Sequence, residues 1–227
     1  MDKKQLQEHI VYEYGPMITA VCRKMISNPN IIEDVTQEIW VQIIKSLDSF
    51  QERSKLSTWI YTICHRVIMK MAAQDKTYST TYLSSYFRNN DELIIPDQNE
   101  HNEWVKEMCN KCLTGTLHCL NNENRLIYLF KDVVQLSYDD MHEIMSMNEE
   151  TLRKRVSRAR TKLRNFLNDE CYLYNPNGSC NCRMKPYVQS VNLIDSYNKL
   201  VDMTKDAFVY LNSDQLLPEK NYWEKYL

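Results

Sequence analysis

Apolar residues recur along much of the chain at steps of three and four, the spacing that lines one face of an α-helix. Residues 4–27 are predicted as a first helical segment with Leu6, Ile10, Ile18, Val21, Cys22 and Met25 inward and a break or restart at Gly15-Pro16. Asn28-Pro29-Asn30 reads as a turn. In IIEDVTQEIWVQIIKSL, residues 31–47, Val35, Ile39, Ile43 and Leu47 step by four, while Glu33, Asp34, Gln37 and Glu38 make the rest polar. A short polar connection, DSFQERSKL, leads into SKLSTWIYTICHRVIMKMA. There Trp59, Ile63, Val67 and Met71 are in register, and Ser54 or Ser57 is the start signal. Trp59 is equally readable as core or as surface.

The periodicity fades between residues 77 and 103, where Ser, Thr, Asn and acids surround a single apolar patch, Leu93-Ile94-Ile95; this is the composition of a linker. It resumes from Trp104 to Gln135, first in WVKEMCNKCLTGTLHCL and then in NENRLIYLFKDVVQ, with Leu126, Leu129, Phe130 and Val133 on one face. Tyr138 to Met145 reads as a shorter helix with Met141, Ile144 and Met145 inward. After a tight connection at Ser146-Met147-Asn148 comes a longer helix whose stripe is Leu152, Val156, Ala159, Leu163 and Phe166. Asn148 suits its N-cap, and Glu149 and Glu150 suit the positive end of its dipole. Short helix, tight turn and long basic helix form a helix-turn-helix candidate. With three glycines and no alternating strand pattern, the expected fold is all-α: two helical domains, a flexible linker and a C-terminal extension. The expected divisions are 1–76, 77–103, 104–168 and 169–227.

A length of 227 residues with 43% hydrophobic content supports one large or two small cores. The net charge of −2 argues against a nucleic-acid partner only until its distribution is read. Arg153, Lys154, Arg155, Arg158, Arg160, Lys162 and Arg164 follow one another with no acid between Arg153 and Arg164. A cationic helix face is ordinarily just solvated surface. Here the single sign, the lack of interspersed acids for i,i+4 pairs and the supporting helix behind it favour DNA. No run of about 18 apolar residues occurs and MDKKQLQEHI lacks a signal-peptide core, so a cytoplasmic protein without membrane insertion is expected. The eight cysteines then read as thiols or metal ligands rather than disulfides. Cys109 and Cys112 form a CxxC pair with Cys119 beyond it; Cys171, Cys180 and Cys182 lie in the turn-rich CYLYNPNGSCNCRMK. Closed zinc sites need four ligands, so this trio would draw a fourth from Cys109, Cys112, Cys119, His118 or His142. Redox-active and inert thiols are the alternatives. Past Lys185, the helical spacing of SVNLIDSYNKLVDMTKDAFVYL and the aromatics Tyr222, Trp223 and Tyr226 suit either packing or a docking surface.

LSYDDMHEIMSMNEETLRKRVSRARTKLRNFL, residues 136–167, resembles the promoter-binding domain of bacterial extracytoplasmic-function sigma factors. Thr151, Arg153, Arg155, Arg158, Ala159, Arg160 and Leu163 match that family's "TVKSRLHRARxxLR" pattern, with Ser146 where it usually has glycine. EDVTQEIW resembles the family's DxxQexF signature, with Asp34, Gln37 and Glu38 on the matching positions and Trp40 near the usual phenylalanine. LNNENRLIYL, residues 120–129, resembles its "LPxxxRxVFLL".

The resemblance implies a sigma factor that directs initiation and makes no covalent chemistry. Asp34, Gln37, Glu38 and Trp40 would bind core RNA polymerase at its clamp helices. Phe50, Arg53, Lys55, Trp59, His65, Arg66 and Lys70 would open and hold the −10 strand, since a base pulled from the stack needs a pocket, aromatic platforms and cations. Cys64-His65-Arg66 stands where the family commonly has "ARN". Thr151, Arg153, Lys154, Arg155, Arg158, Arg160 and Lys162 would read the −35 duplex. Implied partners are core polymerase, duplex and single-stranded promoter DNA, and an anti-sigma or recruiting protein on the C-terminal extension. No cofactor is required; zinc is the candidate metal, because some family members carry a metal-sensing cysteine-rich extension. Two rivals stand beside this reading: a helix-turn-helix regulator that binds DNA without polymerase, and a metal- or redox-sensing interaction protein.

Overall fold

The computed structural model describes residues 3–26, 28–74, 115–170 and 177, and every regular element among them is helical. Helix α1, Lys3–Met25, buries Ile10, Ile18, Val21, Cys22 and Met25, with Leu6 half-buried. It runs through Pro16 without the break expected there. Proline removes one intrahelical hydrogen bond, but the buried stripe continues on both sides of it and outweighs that local loss. Helix α2, Pro29–Ser46, begins inside the tripeptide read as a turn. Proline at the first helical position forfeits an N–H that would have no helical partner, and the Asn28 carbonyl accepts from the Ile31 and Ile32 N–H groups. Val35, Ile39 and Ile43 are buried as expected, as is Leu47 in the 3-10 turn Leu47–Ser49.

Helix α3, Leu56–Met71, starts after Lys55, whose side chain makes no cap, and not at Ser54 or Ser57. Its buried side comprises Ile60, Ile63, Cys64, Val67 and Ile68 with Thr58 and Tyr61, whereas Trp59 and Met71 are only half-buried. The face is wider than the predicted stripe because α3 is covered by α2 and also by α5. Helix α4, Asn122–Tyr128, is capped by Asn121, whose Oδ1 accepts from the Asn124 N–H at 2.9 Å. It continues into a π-helical turn, Leu129–Val133. Leu126, Leu129, Phe130 and Val133 are buried as the spacing predicts, but so are Arg125, Ile127 and Tyr128, so this segment is covered all round.

Helix α5, Tyr138–Met145, is capped by Ser137, whose Oγ accepts from the Asp140 N–H at 3.0 Å, and it buries Met141, Ile144 and Met145. Ser146 ends it in the left-handed region (φ 54°, ψ 36°), which costs a residue with a Cβ about 1 kcal/mol and is the conformation that glycine adopts without strain. Helix α6, Glu149–Glu170, is capped by Asn148, whose Oδ1 accepts from the Thr151 N–H at 2.8 Å. Leu152, Val156, Ala159, Leu163 and Phe166 are all buried.

The chain divides into two compact units, one holding residues 1–77 and 120–157, the other 78–119 and 158–227. In the first, α4 packs on α1 and α3, and α5 packs on α3. Arg125 ties this unit together: its guanidinium, 0% exposed, donates to the Met25 carbonyl at 2.5 Å and the Leu120 carbonyl at 3.1 Å. Asn122 donates through Nδ2 to the Ala72 carbonyl, and Tyr61 meets Phe130 edge to face at 5.7 Å. In the second unit Thr116, Leu117, His118 and Cys119 are buried, and Lys162 Nζ donates to the Cys119 carbonyl at 2.7 Å. The linker expected at 77–103 and the helix expected from Trp104 lie outside the described residues up to residue 114, as do the cysteine-containing loop and nearly all of the C-terminal extension.

Candidate nucleic-acid and partner interface

The polar side of α2 is set by its buried one. With Val35, Ile39 and Ile43 turned into the core, Asp34 and Gln37 are exposed and Glu38 is half-buried. Gln37 Nε2 donates to Glu33 Oε1 at 3.3 Å and Gln42 Nε2 to Glu38 Oε1 at 2.7 Å, bracing these side chains along the helix. Val41 (39% exposed) and Ile44 (50%) share the strip with Asp34 and Gln37, at steps of three and four. Sequence reasoning passed over both, although their place off the Val35–Ile39–Ile43 stripe marked them as outward. Trp40 is half-buried at the flank of this strip; a Cβ on Gly15 of α1 would lie 3.7 Å from its Cζ2, so the indole also braces α1 against α2.

The loop into α3 gathers the next group. Phe50 and Trp59, both half-buried, pair with ring centroids 5.1 Å apart at 41°. Trp59 is thus an aromatic platform at the edge of the core. Glu52, at φ 53°, turns the chain, Arg53 is exposed, and the Lys55 side chain is 69% exposed. Lys55 Nζ nevertheless forms an ion pair with Asp140 Oδ1 at 2.9 Å, and the Thr58 hydroxyl donates to the same oxygen at 3.0 Å. Arg66 and Lys70 are exposed one turn apart. His65 is half-buried; desolvation lowers its pKa, opposed by the charge of Glu123 and reinforced by Arg66.

The helix-turn-helix cations are less uniform than their sequence suggests. Arg153 pairs with Glu149 (Nε–Oε1 2.8 Å) and lies 4.3 Å over the Tyr138 ring; Lys154 pairs with Glu150 at 2.6 Å; Arg155 pairs with Glu123. The expectation that no acids compensate this face is corrected for these three positions. Glu149 and Glu150 stand one turn before their partners, and Glu123 comes from α4. The Arg153 and Lys154 pairs are exposed and worth roughly 0.5 kcal/mol each, so they hold these cations only weakly. Arg158 and Arg160 are exposed, Lys162 reaches the Cys119 carbonyl, and Thr151 is half-buried. His142 Nδ1 donates to the Met147 carbonyl at 2.7 Å, closing the turn between α5 and α6.

Of the candidate metal ligands, Cys109, Cys112, Cys171, Cys180 and Cys182 lie outside the described residues, and Cys119 is buried. Among the described residues no three His, Cys, Asp or Glu side chains gather as a metal site. Cys22 and Cys64 are free thiols in the core; burial pushes Cys22 up to about 11 and Cys64 well above its ordinary value, so neither is a thiolate at neutral pH. Among the described residues no helix is long and apolar enough to cross a membrane.

Residues 10–77, from α1 through α3, match the Sigma-70 region 2 family. The ECF RNA polymerase sigma-E factor of Haemophilus influenzae is 24% identical over 171 residues, covering 69% of this chain and 84% of the relative. The ECF RNA polymerase sigma factor SigW of Bacillus subtilis is 24% identical over 168 residues, 70% of this chain and 88% of the relative. The fold is similar to that of CnrH, solved in complex with the cytosolic domain of CnrY, with a TM-score of 0.55 and 15% identity over 73% of this chain and 90% of that one. These likenesses do not favour either the stand-alone regulator or the sensor protein. With a polar helix face and an aromatic pair inside the matched region 2, upstream of a basic helix-turn-helix, the chain is similar to the extracytoplasmic-function RNA polymerase sigma factors.

Proposed function

We propose that this sigma factor divides initiation among three surfaces. The α2 strip of Asp34, Gln37, Glu38, Val41 and Ile44, with Trp40 at its flank, binds core polymerase. Phe50 and Trp59 with Arg53, Lys55, Arg66 and Lys70 hold the separated −10 strand, rings stacking on bases and cations tracking the backbone. The exposed face of α6 around Arg153, Lys154, Arg158 and Arg160 lies along the −35 duplex, with Thr151, Arg155 and Lys162 beside it. The protein acts by binding alone and works in the cytoplasm, where polymerase and promoter meet. The observation that carries this reading is the Phe50–Trp59 pair standing beside exposed cations at the mouth of α3.

Run-off transcription with purified core polymerase is the test: promoter-dependent product should require the protein, and equal product without it ends the proposal. Arg158→Ala is the cleanest probe of the duplex surface, because Arg155 is also paired to Glu123 within the fold. Its loss should weaken duplex binding and reduce the salt slope by about one. A zinc site on Cys171, Cys180 and Cys182 is a separate proposal resting on their spacing and turn-rich segment. It expects about one bound metal per purified chain, lost in the triple serine variant; metal-free protein isolated under reducing conditions excludes it.

A further inference from the structure

We propose that Arg155 is not a DNA contact but the residue that positions the duplex-reading helix, through its ion pair with Glu123 at the start of α4. This role rests on the assignment of α6 to the −35 duplex made above. The pair joins residues 32 positions apart, from the first turn of α4 to the second turn of α6. Arg153 and Lys154 instead pair with acids one turn back on their own helix, and such bonds do nothing to fix where that helix lies. Exposure separates the same residues: the Arg155 and Glu123 side chains are 32% and 38% exposed, Arg153 and Lys154 61% and 64%. Glu123 is itself anchored, since Asn121 caps its helix through the Asn124 N–H.

The helix wheel gives the same division. At about 100° per residue, Arg155 falls on the flank of the Leu152–Val156–Ala159 stripe, and Lys162, seven residues on, falls on that flank too. Lys162 also turns to an acceptor of the protein, the Cys119 carbonyl at 2.7 Å. A phosphate takes Arg155 only by stripping it from Glu123, which leaves an unpaired carboxylate facing a polyanion. Kept with Glu123, the guanidinium is already neutralised and releases no counterion from DNA. What it supplies is orientation. Side chains that read base edges need their helix held in a fixed pose, and a strut between two helices provides that without touching the bases.

The test uses the full chain reconstituted with core polymerase and a labelled duplex that the wild-type complex selects from a random pool. A shuffled duplex of equal length is the control. Arg155→Met combined with Glu123→Gln removes both charges together and keeps the side-chain lengths. This double variant should lose about three- to tenfold of the preference for the selected duplex while its salt slope stays at the wild-type value. A slope lower by about one makes Arg155 a phosphate contact and overturns the proposal. An unchanged preference in a variant shown by circular dichroism to be folded overturns it too. The exchanged pair, Arg155→Glu with Glu123→Arg, should bind the selected duplex severalfold better than Arg155→Glu alone; equal binding by the two counts against the strut. Arg158→Ala, run alongside, separates the two readings. If it leaves preference and slope untouched, the assignment of α6 to the duplex falls and the positioning role with it. If it weakens binding while the Arg155 and Glu123 variants behave as wild type, the positioning role alone falls.

Discussion

Arg125→Ala is expected to destabilise the fold by about 3–5 kcal/mol, the largest effect of any single truncation considered. A guanidinium stays charged at any working pH, so its complete burial is tolerated only through its hydrogen bonds. Here one nitrogen holds the Met25 carbonyl at the end of α1 and another the Leu120 carbonyl before α4. Truncation leaves a cavity the length of an arginine and withdraws the donors from both carbonyls. Arg125→Lys keeps the charge but replaces the planar fork by a single ammonium, and should recover only part of the loss. Urea unfolding followed by circular dichroism reads both; a loss under about 1 kcal/mol for the alanine variant would show that the two carbonyls are satisfied without the guanidinium.

Ile44→Glu is expected to weaken binding to core polymerase by about 30-fold or more while leaving the isolated protein's stability within about 0.5 kcal/mol. At 50% exposure Ile44 contributes little to the core, so its replacement is cheap in the free protein. In a complex the strip of Asp34, Gln37, Val41 and Ile44 would be covered, and a carboxylate at its C-terminal end would be desolvated without a partner. Titration of labelled protein with core polymerase, paired with a thermal melt, separates the two effects. Unimpaired affinity with an intact fold would move the polymerase contact off this strip.

The local parts of this protein were legible one segment at a time. Val35, Ile39 and Ile43 in α2, and Leu152 through Phe166 in α6, were placed by periodicity because a helix bound on one side must carry its apolar groups there. Asn148 was placed by its chemistry as a cap. The pairs Glu149–Arg153 and Glu150–Lys154 were also legible, four residues apart, but counting only the interval from Arg153 to Arg164 hid them. The resemblance to sigma factors placed an arginine at position 125 without saying what it holds.

What residues 31–47 and 136–167 determined by themselves was helical identity, capping and the chemical character of each face, since these depend on neighbours within a turn or two. Only the tertiary structure decided that α1 survives Pro16, that residues 125–130 are all buried, and that Lys55 meets a carboxylate 85 positions away. Periodicity cannot report such pairings, because it records which side of a helix is apolar and not what comes to lie against it. Burial of Arg125 and capture of Lys55 depend on which helices share a face, and that is settled by packing alone.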